Sequence, residues 1–244
     1  MSAIIIPARY GSIRFPGKVL IDIAGQTMIE RVARQALKTK ADTVIVVTDH
    51  EEIFNICSNI SGIKALMSPT DLSTGTDRVA FAAKTIDDDI IINVQGDEPF
   101  IPFELINELI DELSINKELK MVTACTAFAS LEDSLNPDAV KVVLNNNKYA
   151  LYFSRYPIPF DRDNIENIVR YRHIGIYGFK RDFLFQFADM PRSMLEKNEN
   201  LEQLRALENG VSIKVVKTDY NPISIDTEDD LKKALEYYNM VNKW

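Results

Sequence analysis

Ile4, Ile5 and Ile6 form a β-branched run that meets Pro7, and the chain then passes through Arg9, Gly11, Arg14 and Gly17 to Lys18. A short apolar run bounded by proline and glycine is the pattern of a buried strand, and the proline is expected to stop the sheet ladder. Three cations on a glycine-containing loop then lie at the carboxyl end of a first strand, where open α/β sheets bind their ligands. Gly11 and Gly17 let backbone N–H groups approach a ligand closely, and the cations neutralise phosphate charge. A plain basic surface loop has the same composition, so the rest of the chain must separate the two readings.

Apolar runs and helically spaced segments alternate after this loop. Helical spacing covers Met28 to Leu37, Glu51 to Cys57, Asp77 to Lys84 and Pro102 to Leu113. Strand-like runs cover Thr43 to Val47, Ile63 to Met67 and Ile90 to Val94. That order predicts an α/β fold with a mostly parallel sheet covered by helices. Met121 to Ala127, Val140 to Leu144 and Ala150 to Ser154 then follow with little helix between them, which predicts added antiparallel strands. Arg155 to Arg170 reads as a charged loop, His173 to Gly178 and Val211 to Val216 as strands, and Asp182 to Ala188 as a helix. Asn200 to Glu208 reads as one helix stopped by Asn209-Gly210, and Thr227 to Val241 as the last. No linker or repeat divides the 244 residues, so one domain is expected.

The first loop matches neither common phosphate motif. A Walker loop needs four residues between its glycines and Ser or Thr after the lysine, whereas Lys18 is followed by Val19. A Gly-x-Gly-x-x-Gly fingerprint opening a helix is absent. The segment resembles instead the signature loop of the sugar nucleotidyltransferases, in which arginine and lysine hold a nucleotide triphosphate.

Charge and composition narrow the function further. The formal net charge of −8 argues against a nucleic-acid surface, so an anionic substrate must be met by local cations. No apolar run is long enough for a membrane span, and the N-terminus enters a strand with no signal-like region. Cys57 and Cys125 show no zinc spacing. A reduced, cytoplasmic setting is expected.

Strand-like Ile90 to Val94 runs into Gln95-Gly96-Asp97-Glu98-Pro99. A carboxylate there can hold a divalent cation, since Mg²⁺ takes one or two protein carboxylates and completes its shell with water and phosphate oxygens. Asp97 is the leading ligand by this reasoning, although the same residues also suit a simple turn. Gln95 suits a hydrogen bond to a base or sugar, and equally a backbone partner. Asp226, in Ser-Ile-Asp-Thr-Glu-Asp-Asp-Leu, is either a second metal ligand or part of an ordinary helix start. In Ser68 to Arg78, Gly75 permits close approach to an anion or base carbonyl at a helix start, while Thr76 or Ser73 would serve as a plain N-cap.

Eight segments occur in order: ARYGSIRFPGK, STGTDR, NVQGDEP, NPDAVKVV, YALYFSR, RHIGIYGF, LEQLRALENG and IDTEDDL. Together they resemble the 3-deoxy-manno-octulosonate (Kdo) cytidylyltransferases over essentially the whole chain. The resemblance implies a three-layer Rossmann-like nucleotide-diphospho-sugar transferase fold, with a dimerisation and sugar-binding portion within about residues 121–180. It implies Mg²⁺-dependent activation of Kdo with CTP, giving CMP-Kdo for lipopolysaccharide, by a cytoplasmic homodimer. By the same resemblance Arg9, Arg14 and Lys18 grip the CTP phosphates, and Ser73, Gly75 and Gln95 surround cytosine and ribose. Asp97 and Asp226 hold magnesium, with Lys18 joining them as catalytic. Arg78, Arg155, His173, Tyr177, Glu202 and Gln203 shape the sugar pocket. Tyr177 also suits strand core, Glu202 and Gln203 solvated helix positions, and His173 a structural histidine. Arg155 has the firmest independent case, because guanidinium binds carboxylate bidentately. The departures, Gly11 after Arg-Tyr and Glu228 where proline is commoner, are mild. The rivals are the same chemistry on 8-amino-Kdo or sialic acid, and an inactive nucleotide-binding protein.

Overall fold

The computed structural model describes residues 1–11, 15–163, 168–223, 225 and 227–241. Arg14 and Asp226, both candidate site residues, lie outside the described residues. The chain divides into two compact units, residues 1–110 with 222–244, and residues 111–221.

The first unit contains β1 (Ser2–Ala8), β2 (Asp22–Ile23), β3 (Gln26–Thr27), α1 (Met28–Ala36), β4 (Thr43–Thr48), α2 (Glu51–Ser58), β5 (Lys64–Met67), α3 (Gly75–Ala83) and β6 (Ile90–Asn93). β1 lies between β6 and β4, and β5 lies beyond β4, with every pairing parallel. All seven residues of β1 are buried, which is why the run is apolar without alternation. α1 closes on this sheet through Met28, Ile29, Val32, Ala33 and Ala36, and a Thr27–Glu30 capping box starts it.

The expectation that Pro7 ends the first strand is corrected. β1 continues through Pro7, opposite Val47, to Ala8. In a parallel strand, alternate residues direct their amide groups to opposite neighbours. Ile5 accepts from Val94 on the β6 side, at 3.2 Å, and Pro7 faces that same side. The β1–β6 register ends at Ile5 opposite Asn93, so the missing N–H of Pro7 falls where that ladder has already stopped.

The second unit follows α4 (Phe103–Ile115), which buries Leu105, Ile106, Leu109, Ile110 and Leu113. It holds β7 (Met121–Ala127), β8 (Lys141–Leu144), β9 (Ala150–Ser154), β10 (Tyr171–Lys180), α5 (Arg181–Asp189), α6 (Met194–Glu199), α7 (Leu204–Glu208) and β11 (Ile213–Lys217). β7 pairs antiparallel with β10 and parallel with β11, while β8 pairs antiparallel with both β10 and β9. The expected antiparallel insertion is therefore present. A bulge between Ile174 and Tyr177 shifts the register of β10 against β7.

The single helix expected over Asn200 to Glu208 is also corrected. Asn200 adopts a left-handed conformation, φ 53°, and caps α6; α7 starts only at Leu204. The final helix, α8 (Glu228–Val241), returns the chain to the first unit. Cys57 and Cys125 are buried free thiols, and burial pushes both up to about 12.

Arg205 ties this second unit together. Its Nε and Nη2 donate to the two carboxylate oxygens of Glu196 at 2.8 Å each, and Nη1 donates to the Phe187 carbonyl at 3.0 Å. Burial by itself raises the Glu196 pKa, but the Arg205 fork outweighs it, and the carboxyl titrates below its ordinary value. A group with a depressed folded pKa stabilises the fold above its unfolded pKa and loses that contribution as pH falls through the folded value. Removing one partner leaves a buried charge, so Glu196→Gln is expected to cost about 3–5 kcal/mol. Urea unfolding at neutral pH measures that loss, and the gap between variant and parent should shrink as the medium is acidified.

Candidate functional site

The carboxyl ends of β1, β4 and β6 gather the candidate residues of the first unit. Gly96 lies against the end of β1: a Cβ added there would stand 3.1 Å from the Pro7 carbonyl oxygen. The tight passage carries the chain from β6 into the loop bearing Asp97. Lys18, at the start of a 3-10 turn over Lys18–Leu20, places Nζ 2.6 Å from Asp97 Oδ2. Their side chains are 12% and 29% exposed, so the pair is partly shielded and still reachable from solvent.

The loop that carries Arg9 folds back on itself. Gly17, at φ 71°, donates its N–H to the Tyr10 carbonyl at 2.9 Å, and Tyr10 stacks on His50 with ring centroids 4.1 Å apart. Arg9 Nη2 donates to the Leu72 carbonyl at 2.7 Å, which ties this loop to the one before α3.

Neither Ser73 nor Thr76 caps α3. Thr74 does, in a reciprocal box with Asp77, and Ser73 Oγ donates to Asp77 Oδ2 at 2.8 Å. Gly75 is therefore the first helical residue, and an added Cβ would lie 3.8 Å from Gln95 Oε1. Gln95 itself donates from Nε2 to Asn93 Oδ1 at 2.9 Å. Arg78 is fully buried beneath this loop, bonded to Asp49 Oδ2 at 2.9 Å and to Ser68 Oγ. Burial lowers its pKa from the usual arginine value, and Asp49 opposes that shift.

Two observations bear on the helix start near Asp226. Thr227 N donates to Asp230 Oδ2 at 3.0 Å, and Asp230 N donates to Thr227 Oγ1 at 3.2 Å. Thr227 and Asp230 thus form a reciprocal cap at the start of this helix. Ile225 N donates to the Asp97 carbonyl at 3.4 Å, bringing the preceding residue of the chain to Asp97.

The second unit gathers the other candidates around β9, β10 and the α6–α7 segment. His173 is buried, with Nε2 2.9 Å from Thr123 Oγ1 and its ring edge-on to Phe153 at 4.9 Å. Burial lowers its pKa to about 3. Tyr177 donates to Gln203 Oε1 at 3.0 Å, and burial, then Glu202, pushes the phenol up. Gln203 is 2% exposed, so it is no solvated helix position, and its Nε2 finds no partner among the described residues.

Arg155 donates from Nε to the Glu199 carbonyl at 2.8 Å and from Nη1 to the Pro137 carbonyl at 3.1 Å. Sequence reasoning missed Lys141 and Glu199, which bond its backbone, and Arg170, whose charge acts on Lys141. A lysine inside the apolar run of Val140 to Leu144 was the available signal for Lys141. Tyr10 and His50 were missed as well, and their contact links residues too far apart for spacing to reveal.

Comparison with known proteins now adds to this geometry. The family described as Cytidylyltransferase matches residues 3–213. The chain belongs to the cytidylyltransferase family. A 3-deoxy-manno-octulosonate cytidylyltransferase of Trichlorobacter lovleyi is 47% identical over 95% of this chain and 96% of its own. One of Fusobacterium nucleatum is 47% identical over 96% of this chain and 95% of its own. The solved structure of a CMP:2-keto-3-deoxy-manno-octonic acid synthetase complexed with CTP matches with a TM-score of 0.93 at 38% identity, covering 98% of this chain and 99% of that one. The expected Rossmann-like nucleotidyltransferase fold, with its mostly parallel mixed sheet, is the fold of this cytidylyltransferase.

His173 offers a direct check on the second cluster. A folded pKa below the unfolded value means the unfolded chain binds the proton first, so this group destabilises the fold as pH drops from about 6.5 toward 3. The ring is expected to stay neutral in the folded protein between pH 8 and 5. Imidazole ¹⁵N chemical shifts report this, and a midpoint near 6.5 would contradict the buried environment.

Proposed function

We propose that this cytidylyltransferase transfers CMP from CTP to 3-deoxy-manno-octulosonate, forming CMP-Kdo and pyrophosphate for lipopolysaccharide assembly. The anomeric hydroxyl oxygen bonds to the α-phosphorus, the bond from that phosphorus to the bridging oxygen of pyrophosphate breaks, and the hydroxyl proton passes to solvent. The observation that carries this reading is the Lys18–Asp97 pair at the strand ends, with Ile225 bonded to the Asp97 backbone. The names of the relatives and the CTP-bound neighbour support the choice of nucleotide and acceptor.

Arg9, Arg14 and Lys18 are assigned to the triphosphate, where positioning and charge neutralisation lower the barrier. Ser73, Gly75 and Gln95 are assigned to the base and ribose. Arg155, His173, Tyr177, Glu202 and Gln203 are assigned to the sugar acid. Arg78, expected in the sugar pocket, has no exposed surface and is assigned instead to support of the loop before α3, through Asp49 and Ser68.

The donor set fits Mg²⁺. Asp97 offers hard carboxylate oxygen, one atom of which meets Lys18, and Asp226 follows the residue that bonds its backbone. Asp97 and Asp226 would hold the ion, which when bound polarises phosphate oxygens and lowers the pKa of the attacking hydroxyl.

A homodimer in the cytoplasm completes the proposal. Leu131, Leu135, Leu151, Tyr156, Phe160 and Val169 are all exposed within one stretch of the second unit, and apolar surface of that kind marks association sites. No helix among the described residues is long and apolar enough to cross a membrane.

Pyrophosphate release from CTP, Mg²⁺ and Kdo tests the reaction, with ATP expected to be a poor substitute. Comparable turnover with ATP would reject the cytidylyl assignment. Asp97→Asn and Asp226→Asn are each expected to lower kcat by roughly 10²–10³, the scale of losing one transition-state electrostatic contact. The double variant is expected to be little worse than either alone, since groups acting as a unit are not additive. If Asp226→Asn kept full turnover, its assignment to the metal would be wrong.

A further inference from the structure

Lys141 stands in the middle of the second cluster and has no part in the assignments above. It is fully buried, on β8 opposite Ser154 of β9. Its ammonium donates to two backbone carbonyls, those of Asn136 and Arg155, at 2.7 Å each. A buried lysine is rare unless its charge is met, and carbonyl dipoles meet it only in part.

The surrounding charges make its position more pointed. Arg155 and Arg170 disfavour the Lys141 charge, and Glu199 favours it, so two cations and one carboxylate act on this lysine. Glu199 is already engaged: it accepts from Ser154 Oγ at 2.6 Å and from the Arg155 N–H at 2.9 Å. Arg170 donates from Nη1 to Ser134 Oγ at 2.9 Å, while its buried Nε has no partner among the described residues. Burial and the neighbouring cations lower the Lys141 pKa from its ordinary value. Two carbonyl dipoles and one carboxylate thus hold this buried charge against two neighbouring guanidinium groups.

The guanidinium of Arg155 has one nitrogen to offer a ligand. Arg155 Nη2 forms no hydrogen bond among the described residues, whereas the other two guanidinium nitrogens are held by Glu199 and Pro137 carbonyls. Its backbone is held from both sides, by Lys141 on the carbonyl and by Glu199 on the N–H.

We propose that Lys141 is a positioning residue: by bonding the Arg155 and Asn136 carbonyls it fixes the backbone from which Arg155 presents its guanidinium to the carboxylate of the sugar acid. The inference rests on the assignment of Arg155 to that carboxylate. Lys141 touches no substrate in this account and acts through Arg155.

Steady-state kinetics of the full-length enzyme, with CTP and Kdo varied separately, test the proposal in Lys141→Met, Arg155→Ala and the double variant. Lys141→Met is expected to raise KM for the sugar acid roughly tenfold, as loss of a hydrogen bond from a charged group implies, with KM for CTP unchanged. Combined with Arg155→Ala it should add little further, because both act through one guanidinium. An Arg155→Ala variant with an unaltered sugar KM would instead sink the assignment of Arg155. Lys141→Met with lowered thermal stability but an unaltered sugar KM would overturn the positioning role, as would an effect that adds in full to that of Arg155→Ala. Should Lys141→Met fail to fold, Lys141→Arg keeps the charge but moves the donor, and the same readings apply.

Discussion

The first strand loses one neighbour before the other, and the carboxyl edge of the first unit's sheet is arranged around that. β1 remains paired with β4 as far as Ala8, whereas its pairing with β6 ends at Ile5. The carboxyl ends of such strands are where open α/β sheets bind their ligands. Pro7 sits just past the end of the β1–β6 ladder, where a residue with an amide proton would present a donor without a ladder partner. Gly96 passes close to Pro7 and Ala8 without a side chain. Lys18 and Asp97 then face each other because the loops that carry them start from β1 and β6.

Much of this was legible beforehand because it is local. Apolar runs of β1, β4 and β6 lack alternation, as strands buried on both faces must, and their order alternates with helices. Asp97 could be singled out because a strand end, a glycine and a carboxylate are adjacent in the chain. The errors have equally local causes. Pro7 was read as a stop because an isolated proline gives no sign of which neighbour its nitrogen faces. The α6–α7 break was missed because Asn200 enters the left-handed region without a glycine to announce it.

What escaped the sequence was long-range compensation. A lysine in a strand-like segment reads as an outward-facing position, and only the carbonyls of Asn136 and Arg155 explain why Lys141 is inside. Gln203 also suited a solvated helix position, yet Tyr177 draws it into the interior, and Arg205 does the same for Glu196, which no motif singled out. Each is a polar group whose burial is settled by a partner far along the chain, and no spacing rule contains that partner. Eight motifs in a fixed order supplied what individual residues did not, which is why the family was clearer than the geometry.

The discontinuity of the first unit bears on how the protein is made. Its opening residues, 1–110, leave the ribosome well before its closing ones, 222–244, and the whole second unit is synthesised in between. At roughly 5–20 residues per second that interval lasts on the order of ten seconds. Throughout it, Asp97 lacks the amide of Ile225, and Phe100 lacks the ring of Tyr237 that packs edge-on against it at 5.1 Å. The nascent chain therefore carries the loop of Asp97 before the segment that braces it. A chain stopped anywhere before Ile225 therefore lacks both contacts, and the loop bearing Asp97 is closed only after the second unit has been made.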